Sequence, residues 1–301
     1  MDRPTLIVFC GIPGSGKTHY AKQLLKDSYY KDKTIHLSSD DIRNELYGDE
    51  SIQGDPGEVF SLMQKRAVEA LNNGLNVIYD STAMTRKDRS GIIAVCPKFV
   101  RIQCNIIWAP IETCIARDAA RERTVGKAVI DKMLKRFQAP YYDEGFDGIY
   151  IHLSDDNFNS EDYSNQIIMN IDIPHDNPHH TLNILDHCAE AGAYIYQKGQ
   201  YDEIWVAAMY HDIGKSYCKA FIDNKGNRCD HAHYYQHQCV GSYMSYGMTS
   251  PIDGTSDTRV KIAWLISVHM DPFLNTKYYN KLPAYLKKQV DLLHKADLAA
   301  H

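Results

Sequence analysis

The chain has 301 residues, of which 44% are hydrophobic and 24% charged, the composition of an ordinary globular protein with room for two domains. Its formal net charge of −5 argues against a surface that binds nucleic acid in bulk, so any polyanion must be held at a local site. Eight cysteines without a CxxC pair, no membrane-length apolar run and no secretory signal predict reduced thiols, no membrane partner and a cytoplasmic location.

The first predicted elements are a strand over residues 5–10 and a helix over residues 19–27. Between them, "GIPGSGKT" matches the phosphate-binding loop in its required strand–loop–helix context. We expect backbone N–H groups to cradle the phosphates, Lys17 to reach the β- and γ-phosphates, and Thr18 to ligate Mg²⁺. The predicted nucleotide contacts are Gly11, Pro13, Gly14, Ser15, Gly16, Lys17 and Thr18.

The second predicted strand is followed by Asp40, Asp41 and Arg43, at the end of a strand where open α/β sheets bind their ligands. Arg43 stands three residues after Asp40 and shares its side of a helix that starts there. Asp40 or Asp41 is also well suited to cap that helix. Two interpretations of these aspartates stay open: a carboxylate that faces the ligand, and a residue that caps the helix.

A third predicted strand, "LNVIYD", ends at Asp80 and is followed by Ser81 and Thr82. A carboxylate directly after such an apolar strand suits the outer shell of Mg²⁺ or a contact with the attacking group. We therefore expect Asp80 and Thr82 to bind substrate.

A basic segment, "RDAARERTVGKAVIDKMLKRF", carries seven Lys and Arg residues against three acids. One interpretation is a solvated basic helix. The other is a lid that lowers arginines onto the transferring phosphates. In the lid interpretation, Arg117 and Arg121 contact the nucleotide and Arg123 is catalytic.

Together, "GIPGSGKT", "SDDIR", "VIYDST" and the basic segment resemble the 5′-hydroxyl polynucleotide kinases of the phosphate-loop class, over about residues 5–150. The resemblance implies an α/β domain with a parallel sheet flanked by helices, and ATP and Mg²⁺ as cofactors. It also implies that Asp40 is the general base on a 5′-OH and that Arg43 contacts the acceptor's 3′-phosphate. Related kinase-like domains phosphorylate small metabolites, so a small acceptor stays open.

Eleven of the fourteen histidines follow residue 170, after a polar and acidic connector at residues 153–165. Several helices are predicted beyond this point, each with a candidate metal ligand on it or at its end. A helical bundle builds a metal site in its core from such separate helices. The candidate ligands are His187, His211, Asp212, His237, His269 and Asp297.

This mixture of imidazole and carboxylate suits Mn²⁺, Fe²⁺, Co²⁺ or Ni²⁺, and less obviously Zn²⁺. Six side chains are too many for one ion that keeps a position for water, so two ions bridged by Asp212 are predicted. The adjacency of His211 and Asp212 then makes sense, because one ligates a single ion while the other spans both. Lys215, one turn further, is placed to meet a phosphate.

The order of these residues, with "HDIGK", resembles the HD phosphohydrolase superfamily over roughly residues 173–301. The resemblance implies an all-α domain that hydrolyses phosphate esters, with His180 as an alternative first ligand. The expected organisation is a kinase domain at 1–155, a linker at 156–172 and an HD domain at 173–301. Further histidines, expected at the surface or facing substrate, are His175, His179, His231 and His233.

The two halves together resemble the bifunctional polynucleotide kinases that carry an HD domain. Such an enzyme would phosphorylate 5′-OH ends with ATP and clear 2′,3′-cyclic phosphate or 2′-phosphate ends. Its partners would be RNA or DNA ends and a separate RNA ligase. Two alternatives stay open: a nucleoside or metabolite kinase with an HD nucleotide phosphohydrolase, and a nucleotide-sensing regulatory protein whose HD half only binds ligand.

Overall fold

The computed structural model describes residues 3–28, 30–155, 157–178, 181–252 and 254–300. The chain divides into two compact units. The first comprises Met1–Met133 and Pro140–Asp156, and the second comprises Leu134–Ala139 and Asn157–His301. Within the described ranges, no helix combines the length and the apolar character needed to cross a bilayer.

The first unit is built on a sheet of five parallel strands. The strands are β1 (Thr5–Cys10), β2 (Thr34–Ser38), β3 (Asn76–Asp80), β4 (Arg101–Trp108) and β5 (Gly148–Leu153). Their order across the sheet is β2-β3-β1-β4-β5, and each neighbouring pair is parallel. The expected parallel sheet is therefore confirmed.

Helices connect and flank these strands, as parallel pairing requires. They are α1 (Lys17–Leu24), α2 (Ser39–Tyr47), α3 (Pro56–Asn72), α4 (Arg86–Val95), α5 (Ile111–Ala119) and α6 (Lys127–Leu134). β1 lies at the centre of the sheet, and its residues from Leu6 to Cys10 are fully buried, because helices cover both faces of a central parallel strand. The carboxyl ends of β1, β2 and β3 meet at one edge, where the predicted site residues stand.

A buried ion pair joins Arg89 of α4 to Glu144, which lies in a short 3₁₀ turn, Tyr142–Glu144. Arg89 Nε and Nη2 donate to the two carboxylate oxygens at 2.7 Å each, and the arginine side chain is fully buried. Removing one partner leaves an uncompensated buried charge. We therefore expect Glu144→Gln to lower the free energy of unfolding by about 3–5 kcal/mol.

Urea unfolding of the purified variant would measure this loss. Asp131→Asn is the matched control, because Asp131 forms an exposed pair with Lys127 on α6. The free energy of unfolding of Asp131→Asn should fall by less than about 1 kcal/mol. Equal losses in both variants would show that burial does not set the cost of breaking the pair.

The second unit is mainly helical. Its helices are α7 (Ser160–Ile171), α8 (Ile184–Gln197), α9 (Glu203–Tyr210), α10 (Lys215–Cys218), α11 (His237–Ser245), α12 (Ser256–Val268), α13 (Asp271–Leu274), α14 (Thr276–Tyr279) and α15 (Ala284–Ala299). α9 packs against α8, α12 and α15. Buried residues lie on several sides of α9, namely Ile204, Val206, Ala207 and Ala208. This is expected of a helix that neighbouring helices enclose, because such a helix is apolar all round.

The expected linker at residues 156–172 contains α7, which is part of the second unit. Asn159 caps this helix, and Ile167 and Ile171 on it are buried. The acidic residues that suggested a connector include Glu161 and Asp162, which lie in the first turn of α7. Negative side chains are favourable there because the start of a helix carries partial positive charge.

The second unit is not all-α, because it also contains an antiparallel hairpin of β6 (Ala220–Ile222) and β7 (Arg228–His233). A turn of Asp, Asn and Gly residues joins the two strands. Gly226 has a φ of 87°, a conformation that glycine adopts without strain. The turn residues favoured this hairpin, which the expectation of an all-α domain overlooked.

One short segment, Leu134–Ala139, belongs to the second unit although parts of the first unit precede and follow it. Phe137 in this segment is fully buried, and its ring lies edge-on to Tyr243 and Tyr246, at centroid distances of 5.6 and 6.1 Å. The backbone N–H of Ala139 donates to Ser267 Oγ at 3.4 Å. The chain therefore passes between the units three times.

Candidate functional site

The predicted phosphate loop connects β1 to α1. Gly14 has a φ of 80°, and a Cβ built on it would lie 2.1 Å from the Cys114 carbonyl oxygen, so a larger residue does not fit. Gly16, with a φ of 97°, directly precedes Lys17, the first residue of α1. The loop and the N–H groups at the start of α1 thus form a concave anion site.

Lys17 and Thr18 lie beside the end of β3. Lys17 Nζ donates to the carbonyl oxygens of Gly11 and Ile12 at 2.9 and 3.0 Å. Burial lowers the pKa of Lys17, while the Asp80 carboxylate acts in the opposite direction. Thr18 Oγ1 lies 3.4 Å from Asp80 Oδ2. The Lys17 ammonium, the Thr18 hydroxyl and the Asp80 carboxylate therefore lie together at the loop. Phosphate-loop proteins use these three kinds of group to bind Mg²⁺ and phosphate.

His36 is a neighbour of this set that sequence reasoning missed. Its Nε2 lies 3.1 Å from Asp80 Oδ2. Because β2 and β3 pair with Ser38 opposite Asp80, His36 stands two residues earlier on the same face. No local pattern in the sequence indicated this contact, because it depends on the pairing of β2 with β3.

Asp40 and Arg43 form an ion pair in the first turns of α2. Arg43 Nη1 donates to Asp40 Oδ1 at 2.8 Å, and the Asp40 side chain is 53% exposed. Ser38 caps the helix by accepting the Asp40 backbone N–H at 3.2 Å. The capping interpretation of Asp40 and Asp41 is therefore wrong, and the Asp40 carboxylate faces the cavity described next.

A cavity of about 410 Å³ joins these residues, a size that suits a small ligand. Gly11 and Ser15 are buried rather than lining it. Arg117 does not line it either, and donates instead to the side-chain and backbone oxygens of Ser154 at 2.9 and 3.0 Å. The predicted site residues that do line the cavity are Pro13, Gly14, Gly16, Lys17, Thr18, Asp40, Arg43, Asp80, Thr82, Arg121 and Arg123.

The basic segment is not one solvated helix, since a loop separates α5 from α6 and carries Arg121 and Arg123. Asp118, 2% exposed, shapes this loop by accepting the backbone N–H of Gly126 at 2.9 Å. Arg123 Nη1 donates to Glu50 Oε1 at 2.8 Å. The loop therefore presents two arginines to the cavity, which the lid interpretation requires.

In the second unit the six candidate ligands converge in two groups whose ligand atoms lie within 4.8 Å of one another. Asp212 belongs to both groups. Its Oδ2 lies 3.4 Å from Nε2 of His187 and of His211, and its Oδ1 lies 3.1 Å from His237 Nε2. The groups are His187, His211, Asp212 and Asp297, and Asp212, His237 and His269.

Backbone carbonyl groups orient all four imidazoles of this cluster. Because a carbonyl oxygen only accepts hydrogen bonds, each Nδ1 carries the proton and each Nε2 of a neutral ring keeps a lone pair. That is the form in which histidine binds a metal ion. The Nδ1–carbonyl distances are 2.8 Å for His187–Ala300, 2.7 Å for His211–Ala208, 2.9 Å for His237–Tyr234 and 2.7 Å for His269–Ile266.

Two pairs of these Nε2 atoms lie close together, at 3.2 Å for His187 and His211 and 3.3 Å for His237 and His269. Two facing lone pairs repel each other unless a cation lies between them. Two nitrogens bound at 2.0–2.1 Å to one tetrahedral ion are about 3.3 Å apart. The residues therefore fit divalent metal ions.

The ionisation of Asp212 and His269 matches this chemistry. Burial lowers the pKa of His211, but the Asp212 carboxylate beside it raises that pKa well above its ordinary value, so a metal ion would displace a proton from this ring. Burial alone raises the pKa of Asp212, but Lys215 and His211 beside it hold that pKa well below its usual range. Lys215 Nζ lies 2.6 Å from Asp212 Oδ2. Burial, helped by nearby His211 and His237, lowers the pKa of His269 to about 3. Asp212 is thus ionised and His269 neutral near pH 7, as metal ligation requires.

The remaining predicted histidines are placed differently. His175 is only 2% exposed, so of its two expected positions, at the surface or facing substrate, the surface position is wrong; its Nε2 lies 3.1 Å from Lys215 Nζ. His231 and His233 lie on β7. Outside the described residues lie His179 and the alternative ligand His180.

Comparison with known families concerns the first unit. Residues 6–140 match the family model described as an AAA domain, and the match includes the phosphate loop, Asp40 and Asp80. The first unit is a kinase-like P-loop domain. No curated protein matches the chain.

Solved structures similar to part of the chain include two of the Pnkp1/Rnl/Hen1 RNA repair complex, 21% and 22% identical, with TM-scores of 0.36 and 0.41. They match over 53% of this chain and 50% and 52% of theirs, so this chain spans about half their length. A gluconokinase from Sinorhizobium meliloti 1021 is 16% identical over 50% of this chain and 83% of its own, with a TM-score of 0.35. Likeness at this level does not specify a substrate for the P-loop domain.

Proposed function

We propose that the chain is a bifunctional RNA end-healing enzyme, an ATP-dependent 5′-hydroxyl polynucleotide kinase joined to a metal-dependent hydrolase of 2′,3′-cyclic phosphate and 2′-phosphate ends. The observation that carries the proposal is that one chain holds both a phosphate-loop cavity beside the Asp40–Arg43 pair and a six-residue metal-ligand cluster. RNA broken by transesterification has a 5′-OH and a 2′,3′-cyclic phosphate. The two activities would together make these ends suitable for a separate ligase.

In the kinase half, the phosphate loop and Lys17 would hold ATP, with Mg²⁺ on Thr18. Asp40 would accept the proton of the 5′-OH while that oxygen bonds to the γ-phosphorus and ADP leaves. Arg121 and Arg123 line the same cavity and would face the charge of the transferring phosphoryl group.

In the second unit, the two ligand groups would hold two divalent transition-metal ions, with Asp212 shared between them. Such ions supply Lewis acidity, which activates water and neutralises phosphate charge. Lys215 would donate a hydrogen bond to a phosphate oxygen. The carboxylates and imidazoles of this chain would hold the ions.

The deciding experiment supplies the protein with γ-labelled ATP, Mg²⁺ and a 5′-OH RNA, and separately with Mn²⁺ and an RNA ending in a 2′,3′-cyclic phosphate. We expect label on the 5′ ends and loss of phosphate from the 3′ ends. Preferred transfer to a free nucleoside or metabolite would replace the first activity with a small-molecule kinase. If the RNA ends stay intact while nucleotides are hydrolysed, the second activity would be that of a nucleotide phosphohydrolase.

Arg43 gives a specific prediction for the acceptor. A guanidinium matches phosphate oxygens with two parallel hydrogen bonds, and losing a hydrogen bond to a charged group costs about 10- to 100-fold in affinity. We expect Arg43→Ala to lower kcat/KM for a 5′-OH oligonucleotide by this factor, with KM for ATP unchanged.

Steady-state kinetics with each substrate varied in turn would measure the effect. Arg66→Ala is the matched control, since Arg66 pairs with Glu45 on the surface and does not line the cavity. It should behave like the unaltered protein. An Arg43→Ala protein that loses affinity for ATP and for the oligonucleotide equally would contradict the acceptor role.

A further inference from the structure

The Lys215 ammonium is held between two side chains in the second unit. Its Nζ lies 2.6 Å from Asp212 Oδ2 and 3.1 Å from His175 Nε2, and the lysine is 5% exposed. The Tyr234 ring covers it at 5.5 Å from Nζ to the ring centroid. An ammonium has three N–H donors. Among the described residues, His175 Nε2 accepts one of them, and the Asp212 contact is an ion pair without a hydrogen bond, so a further N–H can meet an added oxygen.

His175 is oriented to accept from this ammonium. Its Nδ1 donates to the Leu182 carbonyl oxygen at 2.8 Å, so the neutral ring presents the lone pair of Nε2 to Lys215. The hydroxyl of Tyr234 donates to the His175 carbonyl oxygen. The Tyr234 carbonyl in turn accepts from Nδ1 of the candidate ligand His237 at 2.9 Å. One tyrosine thus links His175 to the metal-ligand cluster.

The loop that carries His175 is fixed on both sides of it. Lys219 Nζ donates to the Pro174 carbonyl at 2.7 Å and pairs with the Asp176 carboxylate at 2.7 Å. The Asp176 carbonyl accepts the Ala232 N–H at 2.7 Å. Asp176 has a φ of 48°, in the left-handed region that Asp enters more readily than most non-glycine residues. The imidazole is therefore held in one place by its backbone and by its ring.

We propose that His175 is a positioning residue that holds the Lys215 ammonium so that an N–H not donated to His175 faces a phosphate oxygen of the substrate at the metal cluster. The inference rests on the proposed hydrolase function and names a residue that this function leaves unused. Without His175, the ammonium would keep only its contacts with Asp212 and the Tyr234 ring, and no side chain in the described part of the protein would accept a hydrogen bond from it. The bound phosphate would then lose a directed, charge-assisted hydrogen bond.

Two substitutions of His175 distinguish a role in positioning the Lys215 ammonium from a role in packing alone. In His175→Asn, the short amide reaches the Leu182 carbonyl, as Nδ1 does, but cannot reach Lys215. In His175→Gln, the longer amide brings an oxygen to the place of Nε2. The probe is inorganic phosphate, titrated calorimetrically into the full chain loaded with Mn²⁺ and with the phosphate loop saturated by ADP, with metal content and thermal midpoint measured for every variant.

We expect His175→Asn to weaken phosphate binding about 10-fold or more and to lower kcat on RNA ends, with metal content unchanged. His175→Gln should restore most of the affinity. In a Lys215→Met background, His175→Asn should have no further effect, because the histidine acts through the lysine. Normal phosphate affinity in His175→Asn, additive losses in the double variant, or no phosphate binding by the unaltered protein would each overturn the inference. The expected phosphate-binding pattern without hydrolysis of RNA ends would leave the inference standing and reject the proposed substrate.

Discussion

Replacing Asp212 by Asn is expected to remove metal from the second unit and abolish hydrolysis of RNA phosphate ends. The two carboxylate oxygens of Asp212 serve both ligand groups, so one substitution weakens both metal positions. Even outer-shell partners of metal ligands contribute about 10- to 100-fold to affinity or activity, so a shared ligand should contribute more. Metal content by mass spectrometry and cleavage of a 2′,3′-cyclic phosphate end measure the two effects separately.

Asp186→Asn provides the matched control for this substitution. Asp186 stands directly before His187 in α8, yet its side chain is exposed. The control should keep its metal and its hydrolase activity. The kinase activity of Asp212→Asn should also stay normal, because the phosphate loop belongs to the first unit. Full metal occupancy in Asp212→Asn would reject the shared-ligand assignment.

Replacing Asp40 by Asn should reduce phosphoryl transfer by about 10² to 10⁴-fold, the usual contribution of a general base. Asn keeps the shape of the side chain and can still contact Arg43, but it cannot take a proton from the 5′-OH. The decrease should therefore appear in kcat, with little change in KM for ATP. Single-turnover transfer from γ-labelled ATP would measure the chemical step directly.

Asp41 offers a control one residue away. Its side chain is exposed and does not line the cavity, although it shares the first turn of α2. Asp41→Asn should transfer phosphate at nearly the normal rate. Equal rates for Asp40→Asn and the unaltered protein would reject the base assignment while leaving the kinase proposal intact.

Sequence patterns predicted the elements that are determined by residues consecutive in the chain. The apolar run at residues 5–10 coincides with β1, and the eight-residue phosphate loop has Gly14 and Gly16 where the backbone adopts positive φ. The metal-ligand cluster could also be foreseen, because its six residues stand on or beside five helices of one bundle, with His211 and Asp212 both following α9. The role of these ligands in catalysis stays a prediction.

Contacts made through space could not be predicted in this way. His36 meets Asp80 only because β2 and β3 are neighbours in the sheet. His175 reaches Lys215 from a loop whose position depends on β7 and Tyr234. The acidic start of α7 was mistaken for a linker because composition alone does not distinguish a polar connector from a capped helix.

The three passages of the chain between the units affect how the protein is made. Phe137 leaves the ribosome well before Tyr243 and Tyr246, so the core that buries it is completed only late in synthesis. β5, an edge strand of the sheet, also follows this segment. The boundary between the two units therefore does not fall at one position in the sequence. A gene break near residue 156 would leave Leu134–Ala139 on the wrong product.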